Sequence, residues 1–191
     1  MCVALFTEIL LFCRRRLPVS EQPQVTIEFA VELISMRGLV AVVTGGNTGI
    51  GLATANEFAS RGARVSIGCR DILKGQEAAD GIKLRTKNEV IVHHLDLTDF
   101  KSIESFSKCF EKCHILVNNA GAMFPEKTTK CGIELTSLTN HLGHFYLSQL
   151  MLPILRKTAD EENLETRIVF VASRLEKNAY SNKFPGKIHI M

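Results

Sequence analysis

The sequence predicts an α/β fold, a parallel sheet between two layers of helices, and three observations predict it. Short apolar runs alternate with helix-period segments between residues 39 and 172. The runs are apolar at consecutive positions rather than alternate ones, as strands covered on both faces require. The first run also ends in glycines directly before a helical segment, the strand–turn–helix order of a parallel crossover.

Each element follows from its own residues. Leu39 to Thr44 (LVAVVT) is the first strand, and residues 49–60 form a helix that Gly62 stops. Ala63 to Cys69 (ARVSIGC) is the second strand, followed by a polar helix from Asp71 to about Arg85 with Asp71 as its cap. Glu89 to Leu97 (EVIVHHLDL) is the third strand. Thr98 or Asp99 caps the next helix, whose Phe100, Ile103, Phe106 and Phe110 recur at three and four residues. Ile115 to Val117 is the fourth strand and runs into Asn118. A long helix covers residues 134–157, with Leu135, Leu138, Leu142 and Phe145 as its apolar stripe. Gln149 interrupts that stripe before Leu152 resumes it, and Pro153 is expected to bend or shorten the end. Arg167 to Ala172 (RIVFVA) is the fifth strand. No repeat, low-complexity tract or linker divides these elements, so they make one Rossmann-type, doubly wound, three-layer α/β/α unit over residues 37–191.

Residues 1–36 form an N-terminal extension. Residues 3–13 (VALFTEILLFC) are apolar apart from Glu8, and Arg14, Arg15 and Arg16 follow. A spanning helix needs about 20 apolar residues, and a secretory signal carries its positive charge before the apolar run. Leu5, Ile9 and Phe12 share a helical face, which suits either an interfacial anchor or a loosely docked extension. Residues 25–33 alternate as a strand would, yet their acids and Ala30 allow a helix equally.

Composition removes several function classes. The 191 residues are 46% hydrophobic and 23% charged, ordinary material for one folded domain. A net charge of +3 spread among acids, with no Trp and two Tyr, makes no footprint for nucleic acid. The six Cys lack a paired C-x-x-C, and no His spacing closes a metal site around Cys109, Cys113 and His114, so free thiols are expected. No Gly-Lys-Ser/Thr follows the glycines, which excludes a P-loop.

Thr44-Gly45-Gly46-Asn47-Thr48-Gly49-Ile50-Gly51 stands where the first strand turns into the first helix. Glycines there let the backbone approach a pyrophosphate, to which the helix N-terminus offers unpaired N–H groups and positive dipole charge. Four further segments follow in order: Asp96-Leu97, Asn118-Asn119-Ala120-Gly121, Asn140 within N-H-L-G-H-F, and Ser173 after the fifth strand. Together they resemble the short-chain dehydrogenase/reductase family. N-H-L-G-H-F and Cys69-Arg70-Asp71 look most like its retinol-dehydrogenase branch. The resemblance implies that Gly45, Asn47, Thr48, Gly49, Ile50 and Gly51 bind the cofactor, that Asp96 and Leu97 contact its adenine, and that Asn119, Ala120 and Gly121 line its path. It also implies a catalytic site in which Asn140 holds a proton-relaying water and Ser173 hydrogen-bonds the substrate. The implied substrate is a lipophilic alcohol, aldehyde or ketone, retinoids included.

NADP(H) is the expected cofactor. Selectivity for NAD rests on a carboxylate at the end of the second strand, where this chain has Cys69 followed by Arg70, a guanidinium suited to a 2′-phosphate. The family's catalytic pair is a Tyr with a Lys four residues on, the cation lowering the phenol's pKa. After Ser173 the chain offers only Tyr180, followed at that spacing by Phe184, and Pro185 and Gly186 end any helix. Tyr180 is therefore read as a surface residue. The resemblance implies that the C-terminal strands and helices, with that pair and the substrate-binding segment, are missing. Two functions are open: an NADP(H)-dependent oxidoreductase in a full-length form, or an inactive truncated isoform that binds a dinucleotide or a protein. Peripheral membrane contact through the N-terminus and a homo-oligomer are both compatible with the sequence, at a location either cytoplasmic or on the endoplasmic-reticulum surface.

Overall fold

The computed structural model describes residues 35–124, 128–130 and 132–172. Residues 1–34, Ser173 and Tyr180 lie outside the described residues. Five parallel strands make the sheet: β1 (Val40–Thr44), β2 (Arg64–Cys69), β3 (Val90–His94), β4 (Ile115–Asn118) and β7 (Arg167–Phe170), in the order β3-β2-β1-β4-β7. Val42 of β1 aligns with Ser66 on one side and Leu116 on the other. The chain winds outwards from β1 in both directions, so the crevice between the C-terminal ends of β1 and β4 is the topological switch point, where ligands bind in sheets of this kind.

Helices α1 (Gly49–Ser60) and α2 (Ile72–Thr86) cover one face, and α3 (Phe100–Ser107) and α5 (Gly143–Glu162) the other. Alternation along β1 shows why its run is continuously apolar. Ala41 and Val43 pack under Phe58 and Ile82, while Val42 packs with Phe106, Leu147 and Met151. Burying each large side chain contributes about 1.5–3 kcal/mol, so a β1 residue that turned polar on either face would be costly. Met36, which the sequence assigned to the extension, is 1% exposed and belongs to the first of these cores.

Four expectations need correction. The third strand ends at His94 rather than Leu97, because side chains take over the next amides: Ser102 Oγ accepts from Asp96 N, and Asp96 Oδ1 accepts from Thr98 N. The helix expected to reach Phe110 stops at Ser107, although Phe110 stays in the core. The long helix is three pieces: a single turn α4 (Leu135–Ser137), a π turn (Leu138–Leu142) and α5. A π turn adds one residue to the spiral, which rotates everything beyond it by about 100°. Phe145 is thereby turned out to 56% exposure, and the buried face runs through His144, Leu147, Met151 and Leu155 instead. Pro153 does not end the helix, which continues to Glu162. Both Pro153 and Gln149 are exposed, so water can satisfy the carbonyl that the proline leaves without a donor. A two-stranded hairpin, β5 (Thr129–Lys130) with β6 (Ile133–Glu134), was not expected at all.

His114 and Glu162 tie the opposite end of the sheet to α5. Val40 N donates to His114 Nδ1 (3.0 Å), so Nε2 carries the hydrogen and donates to Glu162 Oε2 (2.9 Å). Both ring nitrogens are thus taken by protein groups. Of the neighbouring thiols, Cys109 is exposed, and burial pushes that of Cys113 up to about 12.

Candidate functional site

At the end of β1 the chain makes a left-handed turn at Gly45 (φ +63°), whose N–H donates to Gly68 O at 2.7 Å. A Cβ on Gly45 would sit 2.9 Å from Ala120 Cα, so the turn needs glycine for both conformation and contact. Helix α1 then starts at Gly49. Its N-cap residue, Thr48, makes no side-chain cap, and its first turn holds no acid. The first N–H groups and the positive end of the dipole therefore face the crevice without a carboxylate of the protein's own.

The segment after β4 is sewn onto this turn. Asn119 Nδ2 donates to Thr44 O (2.9 Å) and Gly45 O (3.3 Å). The buried Thr44 hydroxyl accepts from Asn119 N and Ala120 N, both at 2.9 Å. Asn140, in the π turn, binds the next stretch: its Oδ1 accepts from Ala122 N and its Nδ2 donates to Ala122 O, each at 2.8 Å. One donor and one lone pair of that amide remain for other partners. Gly143 lets α5 press against the backbone of Leu97, where any Cβ would collide with the Leu97 carbonyl.

The second cluster lies at the ends of β2 and β3. Cys69 is buried and donates to Asp71 O (3.2 Å), while Asp71 caps α2 through Lys74 N (3.1 Å). Arg70 is exposed, and its guanidinium makes no hydrogen bond or ion pair with the described residues. Asp96 accepts from the amide and the hydroxyl of Thr98, both at 2.8 Å, and Lys130 of the hairpin donates to that hydroxyl at 3.1 Å. Burial works to raise the Asp96 carboxyl, but the two Thr98 bonds, with Lys130 and Arg70, hold it below the usual carboxylate range.

Gly45, Gly49, Ile50, Gly51, Asn119, Ala120, Gly121 and Asn140 therefore meet around one crevice, and Arg70 and Asp96 stand at its β2–β3 side. Asn47 is half-buried and Thr48 exposed in the loop between Gly45 and α1, whereas the Leu97 side chain is core. Ser173 lies outside the described residues. The sequence assigned no site role to Thr44, His144 or Lys130. A buried hydroxyl closing an apolar strand, and a His four residues after Asn140, were the available signals for the first two. Lys130 depends on the hairpin, which no periodicity announced.

The short chain dehydrogenase family model matches residues 39–184. Human retinol dehydrogenase 12 is 49% identical over 146 residues, which are 73% of this chain and 45% of that protein. Human retinol dehydrogenase 11 is 47% identical over 146 residues, 73% of this chain and 44% of that protein. Among solved structures, an RhlG–NADP active-site complex from Pseudomonas aeruginosa superposes with TM-score 0.63 at 29% identity, covering 73% of this chain and 56% of its own. The chain thus spans less than half the length of these two retinol dehydrogenases.

Proposed function

The chain belongs to the short-chain dehydrogenase family, and on that premise we propose that it carries the cofactor-binding frame of an NADP(H)-dependent oxidoreductase acting on a lipophilic alcohol or carbonyl compound, such as a retinoid. The observation that carries the reading is the uncapped, acid-free start of α1 beside the Gly45–Ala120 contact, a cradle that suits a pyrophosphate. Gly49, Ile50 and Gly51 would offer it their amides, with Asn47 and Thr48 in the same loop. Asp96 and Leu97 would border the adenine, and Asn119, Ala120 and Gly121 the ribose and nicotinamide. When bound, the dinucleotide supplies or accepts the hydride. Asn140 would hold the proton-relaying water with its spare donor and lone pair, and Ser173 would hydrogen-bond the substrate oxygen.

Arg70 supports NADP(H) over NAD(H). It is exposed at the end of β2 without a hydrogen-bonding partner among the described residues, Cys69 holds the place of the selective carboxylate, and Asp71 is committed to its helix cap. A hydrogen bond to a charged group contributes about 1.5–3 kcal/mol, so Arg70→Ala is expected to weaken NADPH binding roughly ten- to a hundredfold and leave NADH unchanged. Fluorescence titration of both cofactors against both proteins checks this. An equal loss for NADH, or no loss for either, contradicts the assignment of Arg70 to the 2′-phosphate.

A further inference from the structure

Beneath the crevice, Thr44, Asn118, His144 and Ser148 form a buried polar cluster joining β1, β4 and α5, none of them more than 8% exposed. Asn118 Nδ2 donates to Ser148 Oγ at 2.9 Å. His144 Nδ1 lies 3.3 Å from the Asn140 carbonyl oxygen, and His144 Nε2 lies 2.9 Å from Thr44 Oγ1. A carbonyl only accepts, so the ring hydrogen belongs on Nδ1, and Nε2 turns a lone pair to the Thr44 hydroxyl. Thr44 then donates to Nε2 and has two lone pairs left, one for Asn119 N–H and one for Ala120 N–H. In this arrangement each donor that meets Thr44 or His144 has its own acceptor.

We propose that His144, as the neutral Nδ1–H tautomer, is a positioning residue that clamps the π turn carrying Asn140 to the dinucleotide crevice, so that cofactor binding weakens when the ring takes a second proton. That proton would sit on Nε2 and point at an oxygen already receiving two N–H groups. The Thr44 hydroxyl can swing to Val117 O, 3.4 Å away, but three donors then compete for two lone pairs. One buried N–H is left without a partner, and the groups that can relieve it are the Asn119–Ala120 segment and the π turn, both borders of the crevice. Burial holds the ring below the ordinary imidazole range; the bond to the Asn140 carbonyl opposes this, and His141, one turn earlier, adds to it. The other side chains of the cluster, Thr44 from β1, Asn118 from β4 and Ser148 from α5, carry no charge. Affinity is therefore full while the ring of the unliganded protein is neutral, as its lowered pKa keeps it at neutral pH, and falls as acidification adds the second proton.

The inference rests on the dinucleotide reading, and two experiments on the 191-residue chain separate them. Long-range proton–nitrogen NMR at pH 7 reports the His144 tautomer directly, with Nδ1–H expected; an Nε2–H or doubly protonated ring overturns the clamp. NADPH titrations from pH 7.5 down to pH 5.5 then compare wild type with His144→Gln, which keeps an acceptor for Thr44 but cannot titrate. The 2′-phosphate of NADPH titrates in the same window and affects both proteins equally. Wild type is expected to lose several-fold more affinity than the variant on acidification, and parallel profiles overturn the proposal. Should the variant not fold, coupling is read in wild type alone, where NADPH must lower the ring's pKa by reciprocity; an unchanged value overturns it. Absence of NADPH binding at every pH would overturn the dinucleotide reading and the coupling together, while the tautomer would still decide the clamp.

Discussion

Thr44 shows how much of this site hangs on single atoms. Its hydroxyl is the acceptor for two amides of the Asn119–Ala120 segment, and it is fully buried. Thr44→Val keeps the shape and removes the oxygen, leaving both amides without a partner at about 1–3 kcal/mol each. Thermal unfolding is expected to show a clearly lowered Tm for Thr44→Val and near-wild-type behaviour for Thr44→Ser; an unchanged Tm for the valine variant would contradict the role of the hydroxyl. At this scale the sequence was legible where chemistry is local. The need for glycine at Gly45 and the capping by Asp71 could be read from their immediate neighbours. Thr44 and His144 could not, because their partners lie 75 and 100 residues away and were chosen by the sheet.

Among the elements, the strands were legible because each is apolar at consecutive positions and bounded by glycine or polar turns. The long helix was not, since the π turn shifts its phase partway along, and Phe145 and Leu147 exchange the places that a regular 3.6-residue period would give them. The far end of α5 is fixed by Glu162, which bridges His114 and Lys112. The Lys112 and His114 bonds hold the Glu162 carboxyl down at about 2. A depressed carboxylate stabilises the fold above its unfolded value and loses that contribution as pH falls. Glu162→Ala is accordingly expected to lower Tm at neutral pH. The gap from wild type should stay full above the ordinary 4.5 and narrow towards pH 2, as unfolding scans across that range can measure. A gap that does not change with pH would mean that packing of the side chain, and not its charge, holds the helix end.

On the scale of the whole molecule, the strands of the sheet are covered to different degrees. β1, β2 and β4 are almost wholly buried, whereas β7 is half-exposed and Phe170 on it is 58% exposed. Among the described residues β7 pairs only with β4, so the crevice at β1 and β4 rests on the best-packed part of the fold. Any ligand that binds only the folded chain stabilises it, by about 2.7 kcal/mol at a hundred times its Kd. The central claim, that this chain folds around a crevice selective for NADPH, is therefore tested most directly by thermal unfolding with increasing NADPH and, in parallel, NADH. The predicted result is one cooperative transition whose Tm climbs with NADPH and climbs less with NADH at equal concentration. A cooperative transition that neither dinucleotide moves would contradict the claim.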